Sequence, residues 1–105
     1  MKIAITSTGN TPDAQLDNRF GRCEYFAFYD TKDHSIKYLP NPHKNDVKSA
    51  GEESIKLIAS KGVQKVLSGE FGVKVKNQAD KYRIQLIMLE DTTKTIAELI
   101  QMLDH

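Results

Sequence analysis

The stretch Tyr25-Phe26-Ala27-Phe28-Tyr29-Asp30-Thr31-Lys32-Asp33-His34-Ser35-Ile36-Lys37-Tyr38-Leu39 sets two runs of aromatic and aliphatic residues either side of four polar ones. Aromatic and β-branched side chains suit a pleated surface, and a four-residue polar gap suits a hairpin connection. Two antiparallel strands are therefore expected, Tyr25 to Asp30 and Ser35 to Leu39, with His34 solvated in the turn. Beyond the hairpin the chain alternates between helical and strand spacing, so it must combine antiparallel and parallel pairing in one mixed sheet.

Toward the C-terminus, Pro40-Asn41-Pro42-His43-Lys44-Asn45-Asp46 breaks the strand twice. His43 stands on this extended, proline-flanked segment and is a candidate ligand. Val47, Ala50, Gly51, Ser54, Ile55 and Ile58 then form one helical stripe, with Asn45 or Asp46 as cap and Lys61-Gly62 as the end. Val63 to Ser68 fits a buried strand. The Gly69-Glu70-Phe71-Gly72 turn leads into a second helix starting near Gly72, whose stripe is Phe71, Val75, Ala79 and Tyr82. A strand, a glycine turn and a helix make an anion-binding geometry, which nominates Gly69 and Gly72, although such glycines also answer purely steric needs. Ile84 to Leu89 is expected as a third buried strand. Ile96, Leu99, Ile100 and Leu103 mark a last helix, capped by Thr92, Thr93 or Thr95; Thr95 with Glu98 would form a capping box.

Toward the N-terminus, the polar turn Leu16-Asp17-Asn18-Arg19-Phe20-Gly21-Arg22-Cys23-Glu24 runs straight into the hairpin and carries the one cysteine of the chain. A thiolate is a soft metal ligand, and Arg19 and Arg22 would lower the thiol pKa and attract an anion. The competing reading places Cys23 in the core as a small hydrophobe. Lys2 to Thr6 is expected as a central strand. After it, Ser7-Thr8-Gly9-Asn10-Thr11 resembles the phosphate loop of flavodoxins, but the amphipathic helix which that loop requires does not come next.

The expected order is β-β-β-α-β-α-β-α: an α/β fold with a five-stranded mixed sheet and helices on its faces, the ribonuclease H-like order, in a single domain over residues 1–105. Lys2 to Thr6 carries no carboxylate, and Glu52, Glu53 and Glu70 fit solvated charges. No two-metal nuclease chemistry and no catalytic residue is expected. With 15 basic and 14 acidic residues the net charge is +1, which supplies no field for nucleic acid or a membrane surface. The N-terminus is too quickly polar for a signal peptide, so a cytoplasmic location is expected. One cysteine allows no internal disulfide and no four-thiolate iron-sulfur centre, so any metal would need mixed ligands or a second subunit.

Leu16-Asp17, Phe20-Gly21-Arg22-Cys23 and Tyr25-Phe26, together with Asn41, Gly51, Gly62-Val63, Gly69 and Gly72 further along, resemble the dinitrogenase iron-molybdenum cofactor biosynthesis family over nearly the whole chain. That family includes the nitrogenase accessory proteins NifX and NafY and the C-terminal domain of NifB. The resemblance implies a ribonuclease H-like fold without nuclease function and, in the nitrogenase branch, transit of iron-sulfur cofactor precursors. Two departures place the chain with the stand-alone members. Arg19 occupies the position where the nitrogenase branch commonly has a histidine associated with cofactor ligation, and Arg83 precedes Ile84 where the family commonly has glycine.

The leading functional expectation is a non-catalytic carrier for an iron-sulfur or iron-molybdenum cluster precursor. Arg19, Phe20, Gly21, Arg22, Cys23, His43, Gly69 and Gly72 would form the site, with Cys23 and His43 as metal ligands. Its partners would be metallocluster donor or acceptor proteins, and the protein itself a monomer or weak homodimer. The alternatives are a flavodoxin-like electron carrier holding flavin mononucleotide in Ser7 to Thr11, and an interaction module without cofactor.

Overall fold

The computed structural model describes residues 1–104. In chain order they form β1 (Lys2–Ser7), β2 (Tyr25–Asp30), β3 (Ser35–Pro40), α1 (Ala50–Ser60), β4 (Val63–Ser68), α2 (Val73–Tyr82), β5 (Gln85–Met88) and α3 (Ile96–Leu103). The five strands make one sheet in the order β3-β2-β1-β4-β5. The hairpin forms as expected, with β2 antiparallel to both β1 and β3, while β4 runs parallel to β1 and to β5.

Alternation along the strands divides the core in two. Ala4, Phe26 and Val66 pack with Ile55, Ile58, Val75 and Ala79 of α1 and α2. Ile3, Ile5, Ala27, Tyr29 and Leu67 pack on the other face with Ile96 and Leu99 of α3. β1 is the central strand and is buried from Ile3 onward. The chain leaves β1 toward β2 on one side and leaves β4 toward β5 on the other. The crevice at the ends of β1 and β4 is therefore a topological switch point, the place where open α/β sheets bind ligands.

Several expectations need correction. The first helix starts at Ala50, not Val47, whose side chain is 91% exposed. Asp46 does not cap it, because its carboxylate lies 2.9 Å from His43 Nδ1 and its N–H donates to the His43 carbonyl, closing a separate turn. The chain enters α1 through Ser49 at φ 65° instead. The last strand is a four-residue edge strand with only its two central residues half-buried, not a fully buried one, because among the described residues no strand pairs with its outer side. His34 is exposed but not merely solvated: it turns the hairpin at φ 60° with Nδ1 2.8 Å from the Tyr29 hydroxyl. Arg83 ends α2 at φ 57°, a left-handed position that glycine adopts without strain. Among the described residues no helix is long and apolar enough to cross a membrane.

Candidate functional site: a groove at the switch point

A groove of about 720 Å³ opens beside the ends of β1 and β4. The 16–24 turn supplies Arg19, Phe20, Gly21 and Arg22; the start of α1 supplies Ser49 to Glu52; and the turn into α2 supplies Glu70 to Val75. Phe20 is the most buried part of the turn's contribution, with its ring 5.4 Å from that of Phe71 and 5.9 Å from that of Phe26.

Three close approaches hold the walls. A Cβ on Gly21 would lie 2.6 Å from Gly51 N and 2.7 Å from Gly51 Cα, and a Cβ on Gly51 would lie 2.6 Å from Val75 Cγ2. Glycine at both positions lets the turn meet α1 at backbone distance and seats the Val75 side chain of α2 directly on the α1 backbone. On the other wall, a Cβ on Gly69 would lie 2.6 Å from Asn18 Cα. Arg19 bridges Glu70 in parallel, which stitches the turn to the end of β4. Gly72 differs from these, since a Cβ there would meet nothing within 4 Å.

Buried polar groups fix the turn from below. Asp17 donates its N–H to the Thr6 carbonyl (2.9 Å), and its own carbonyl accepts from the Thr6 hydroxyl (2.8 Å). The Asn41 side-chain amide donates to the carbonyls of Gly21 (3.0 Å) and Cys23 (3.1 Å). With Leu16, Asp17 and Phe20 buried, this turn is part of the packed structure.

The electrostatics stem from the helix ends. No side chain caps α1 or α2. Their first backbone bonds run from Glu53 N–H to the Ser49 carbonyl (2.8 Å) and from Lys76 N–H to the Gly72 carbonyl (3.2 Å). The N–H groups ahead of these have no intrahelical partner, and both sets border the groove with the positive ends of two helix dipoles. Arg19, Arg22 and Lys74 add positive charge; Glu70 and Glu52 oppose it, Glu52 being offset by Lys74 Nζ at 3.8 Å.

Of the eight residues expected at the site, the groove brings together Arg19, Phe20, Gly21, Arg22 and Gly72. Gly69 serves the wall behind them. His43 lies outside the lining, three-quarters buried, with Nδ1 on Asp46. Cys23 is fully buried within the α1/α2-side core. The expected lowering of its thiol pKa is reversed: burial pushes it far above the ordinary range, the Asp17 carboxylate adds to this, and the opposing pull of Arg19 is the weakest influence. Arg22 donates from a terminal guanidinium nitrogen to the Lys44 carbonyl at 2.9 Å. The flavodoxin-like loop spends its groups internally. The Ser7 hydroxyl donates to the Gly9 carbonyl at 2.6 Å, Thr8 Oγ1 accepts from Gln15 N–H, and the next element is a strand, not a helix.

A family model described as dinitrogenase iron-molybdenum cofactor matches residues 1–104. The chain belongs to that family. Comparison with curated proteins gives no match. Among solved structures, the apo form of the orange protein from Desulfovibrio gigas is similar at a TM-score of 0.90 and 24% identity, covering 97% of this chain and 85% of that one. A Thermotoga protein of the DUF35 family, provisionally described as NifB, is similar at a TM-score of 0.82 and 24% identity with the same coverages. These likenesses show a shared fold. The glycine that the family resemblance leads one to expect before Ile84 would suit this position, since Arg83 takes a left-handed conformation there.

The start of α1 is the half of the groove that sequence reasoning missed. Gly51 stands in the sequence as a small residue of a helical stripe and as one of the glycines that carry the family resemblance, but nothing local announces that it backs onto Gly21, 30 positions earlier.

Proposed function

We propose that this protein is a non-catalytic carrier that holds an anionic metal-sulfur cluster precursor in the groove through hydrogen bonds and charge. The observation that carries this reading is the convergence of two uncapped helix N-termini with Arg19 and Arg22 on one groove at the switch point. Backbone N–H groups and guanidinium forks suit a sulfide- or oxide-faced polyanion. Among the described residues no group of three or more His, Cys, Asp or Glu side chains is arranged to hold a metal ion. A hold built on hydrogen bonds and charge works on the outer atoms of the cargo and leaves it free to be handed on. Cys23 has no part in it, because a buried, protonated thiol is a poor ligand. Membership of the dinitrogenase iron-molybdenum cofactor family supports a cluster precursor as the cargo class, with proteins that donate or accept it as partners.

The test is anaerobic titration with tetrathiomolybdate and with a preformed iron-sulfur cluster, read by gel filtration and visible absorption. The expected result is co-elution of at least one chromophore with the wild-type protein, with affinity lowered about a hundredfold in Arg19→Gln/Arg22→Gln, two charge-assisted contacts being lost. Equal uptake by the double variant, or no uptake of either probe by the wild type, would sink the proposal.

A further inference from the structure

Building on that carrier reading, we infer that Asp17 is a positioning residue for the anion site: its buried carboxylate aims the Arg19 guanidinium at the groove. Asp17 Oδ1 accepts from the Arg19 backbone N–H at 3.0 Å and from Arg19 Nε–H at 3.4 Å, while Oδ2 accepts from the Glu24 N–H at 3.3 Å. The carboxylate is buried and Arg19 is half exposed. An ion pair of this kind occupies the Nε–H side of the guanidinium and leaves its terminal nitrogens for a ligand. The main chain of Asp17 is fixed as well, on Thr6 of β1 and through its carbonyl on Gly69 N–H (3.4 Å) after β4. One residue thus ties the guanidinium to the ends of the two strands that define the switch point.

A purely architectural account also exists. Two backbone N–H groups, on Arg19 and Glu24, need two acceptor oxygens, and a carboxylate supplies both where an amide supplies one. The accounts differ in how Asp17 and Arg19 couple. On charge alone, neutralising Asp17 beside an anion site should tighten binding. A loss of affinity must come from Arg19 losing its aim or from a loosened turn, and only the first of these disappears when Arg19 is already gone.

The experiment is a double-mutant cycle of Asp17→Asn and Arg19→Gln, read by tetrathiomolybdate titration. Asp17→Asn is expected to weaken binding about tenfold in the wild-type background and less than about twofold in the Arg19→Gln background. Equal losses in both backgrounds, or tighter binding by Asp17→Asn alone, overturn the inference. A ligand-free readout runs beside it: the ¹⁵Nε–¹H correlation of Arg19 should be resolved and slowly exchanging in the wild type and should collapse in Asp17→Asn. If the wild type takes up no probe, the carrier reading has failed, and the Nε–H signal alone decides; its persistence in Asp17→Asn refutes the positioning role.

Discussion

The starts of α1 and α2 can be set against the start of α3. At α3 the chain closes every local option: the Thr95 hydroxyl accepts from Glu98 N–H at 3.1 Å, and the Glu98 carboxylate accepts from Thr95 N–H at 3.1 Å. At α1 the preceding residue is Ser49 in a left-handed conformation, and at α2 it is Gly72; neither offers a side chain to the free N–H groups. A side-chain cap is worth about 1 kcal/mol over alanine and about 0.5 kcal/mol over glycine, so the two bare ends leave some stability unrealised. The bare pair faces the groove, whereas the capped helix lies on the opposite face of the sheet. The difference shows that this chain can cap a helix with local residues and does so away from the groove.

The most severe way to break the comparison is to remove the seam that brings the two bare ends together. Gly21→Ala would drive a Cβ onto the backbone of Gly51, where no side chain can swing aside. We expect a loss of about 3 kcal/mol, near the upper end for overpacking. That corresponds to more than about 10 °C in thermal midpoint for a domain of this size. A midpoint within a few degrees of wild type would mean that the contact between the turn and α1 is loose. Next in size is Cys23→Ser, which places a hydroxyl in the α1/α2-side core. A loss of about 1–2 kcal/mol is expected with cluster uptake intact. In the native wild type, iodoacetamide should label Cys23 only as fast as the protein unfolds, since burial keeps the thiol protonated and covered. Fast labelling or lost uptake would return Cys23 to the site.

How far the sequence reveals this arrangement depends on whether the deciding contacts are local. The hairpin, the central first strand, the Gly62 helix end at φ 78° and the Thr95/Glu98 box are each carried by residues a few positions apart, and all form. Arg19, Phe20, Gly21 and Arg22 line the groove together because they share one turn. Cys23 sits in that same turn, yet its side chain enters the core while Arg22 reaches Lys44, a split that sequence proximity cannot express. Val47 fits the helical spacing but stays outside the helix, because Asp46 is engaged by His43. The pairing of Gly21 with Gly51 and of Asp17 with the ends of β1 and β4 depends on tertiary contacts, so the small residues at the start of α1 do not by themselves show which turn they face.

A smaller effect tests the capped end. Thr95→Ala should cost about 1 kcal/mol and leave uptake unchanged, since α3 has no part in the groove. Its pH dependence has a definite sign. The Thr95 backbone N–H, and then its hydroxyl, hold the Glu98 carboxyl below the usual glutamate range. A lowered folded-state pKa contributes stability above the unfolded value, and that contribution is lost as pH falls through the folded one. Wild-type stability should therefore fall more steeply than that of Thr95→Ala on acidification below the ordinary glutamate pKa, as measured by urea midpoints. Parallel pH profiles would remove the Thr95 hydroxyl as a source of the difference.

The smallest stability change carries the sharpest contrast. Gly72 precedes α2 at φ −74° and ψ 161°, an extended conformation open to any residue, and a Cβ there meets nothing within 4 Å. Neither backbone strain nor packing requires glycine at this position. Gly72→Asp would supply the missing cap, with its carboxylate accepting from the free N–H groups of α2 and favourably placed on the helix dipole. The gain should be about 0.5 kcal/mol, because glycine is itself a tolerable cap. The same carboxylate would occupy the donors and add negative charge at the groove, so tetrathiomolybdate affinity should fall about tenfold. Gly72→Asn separates the two causes: it caps without charge, and it should keep most of the stability gain while losing less affinity. A more stable Gly72→Asp protein that binds the anion as well as wild type would show that the bare end of α2 is not held open for a ligand, and the contrast with α3 would then carry no functional meaning.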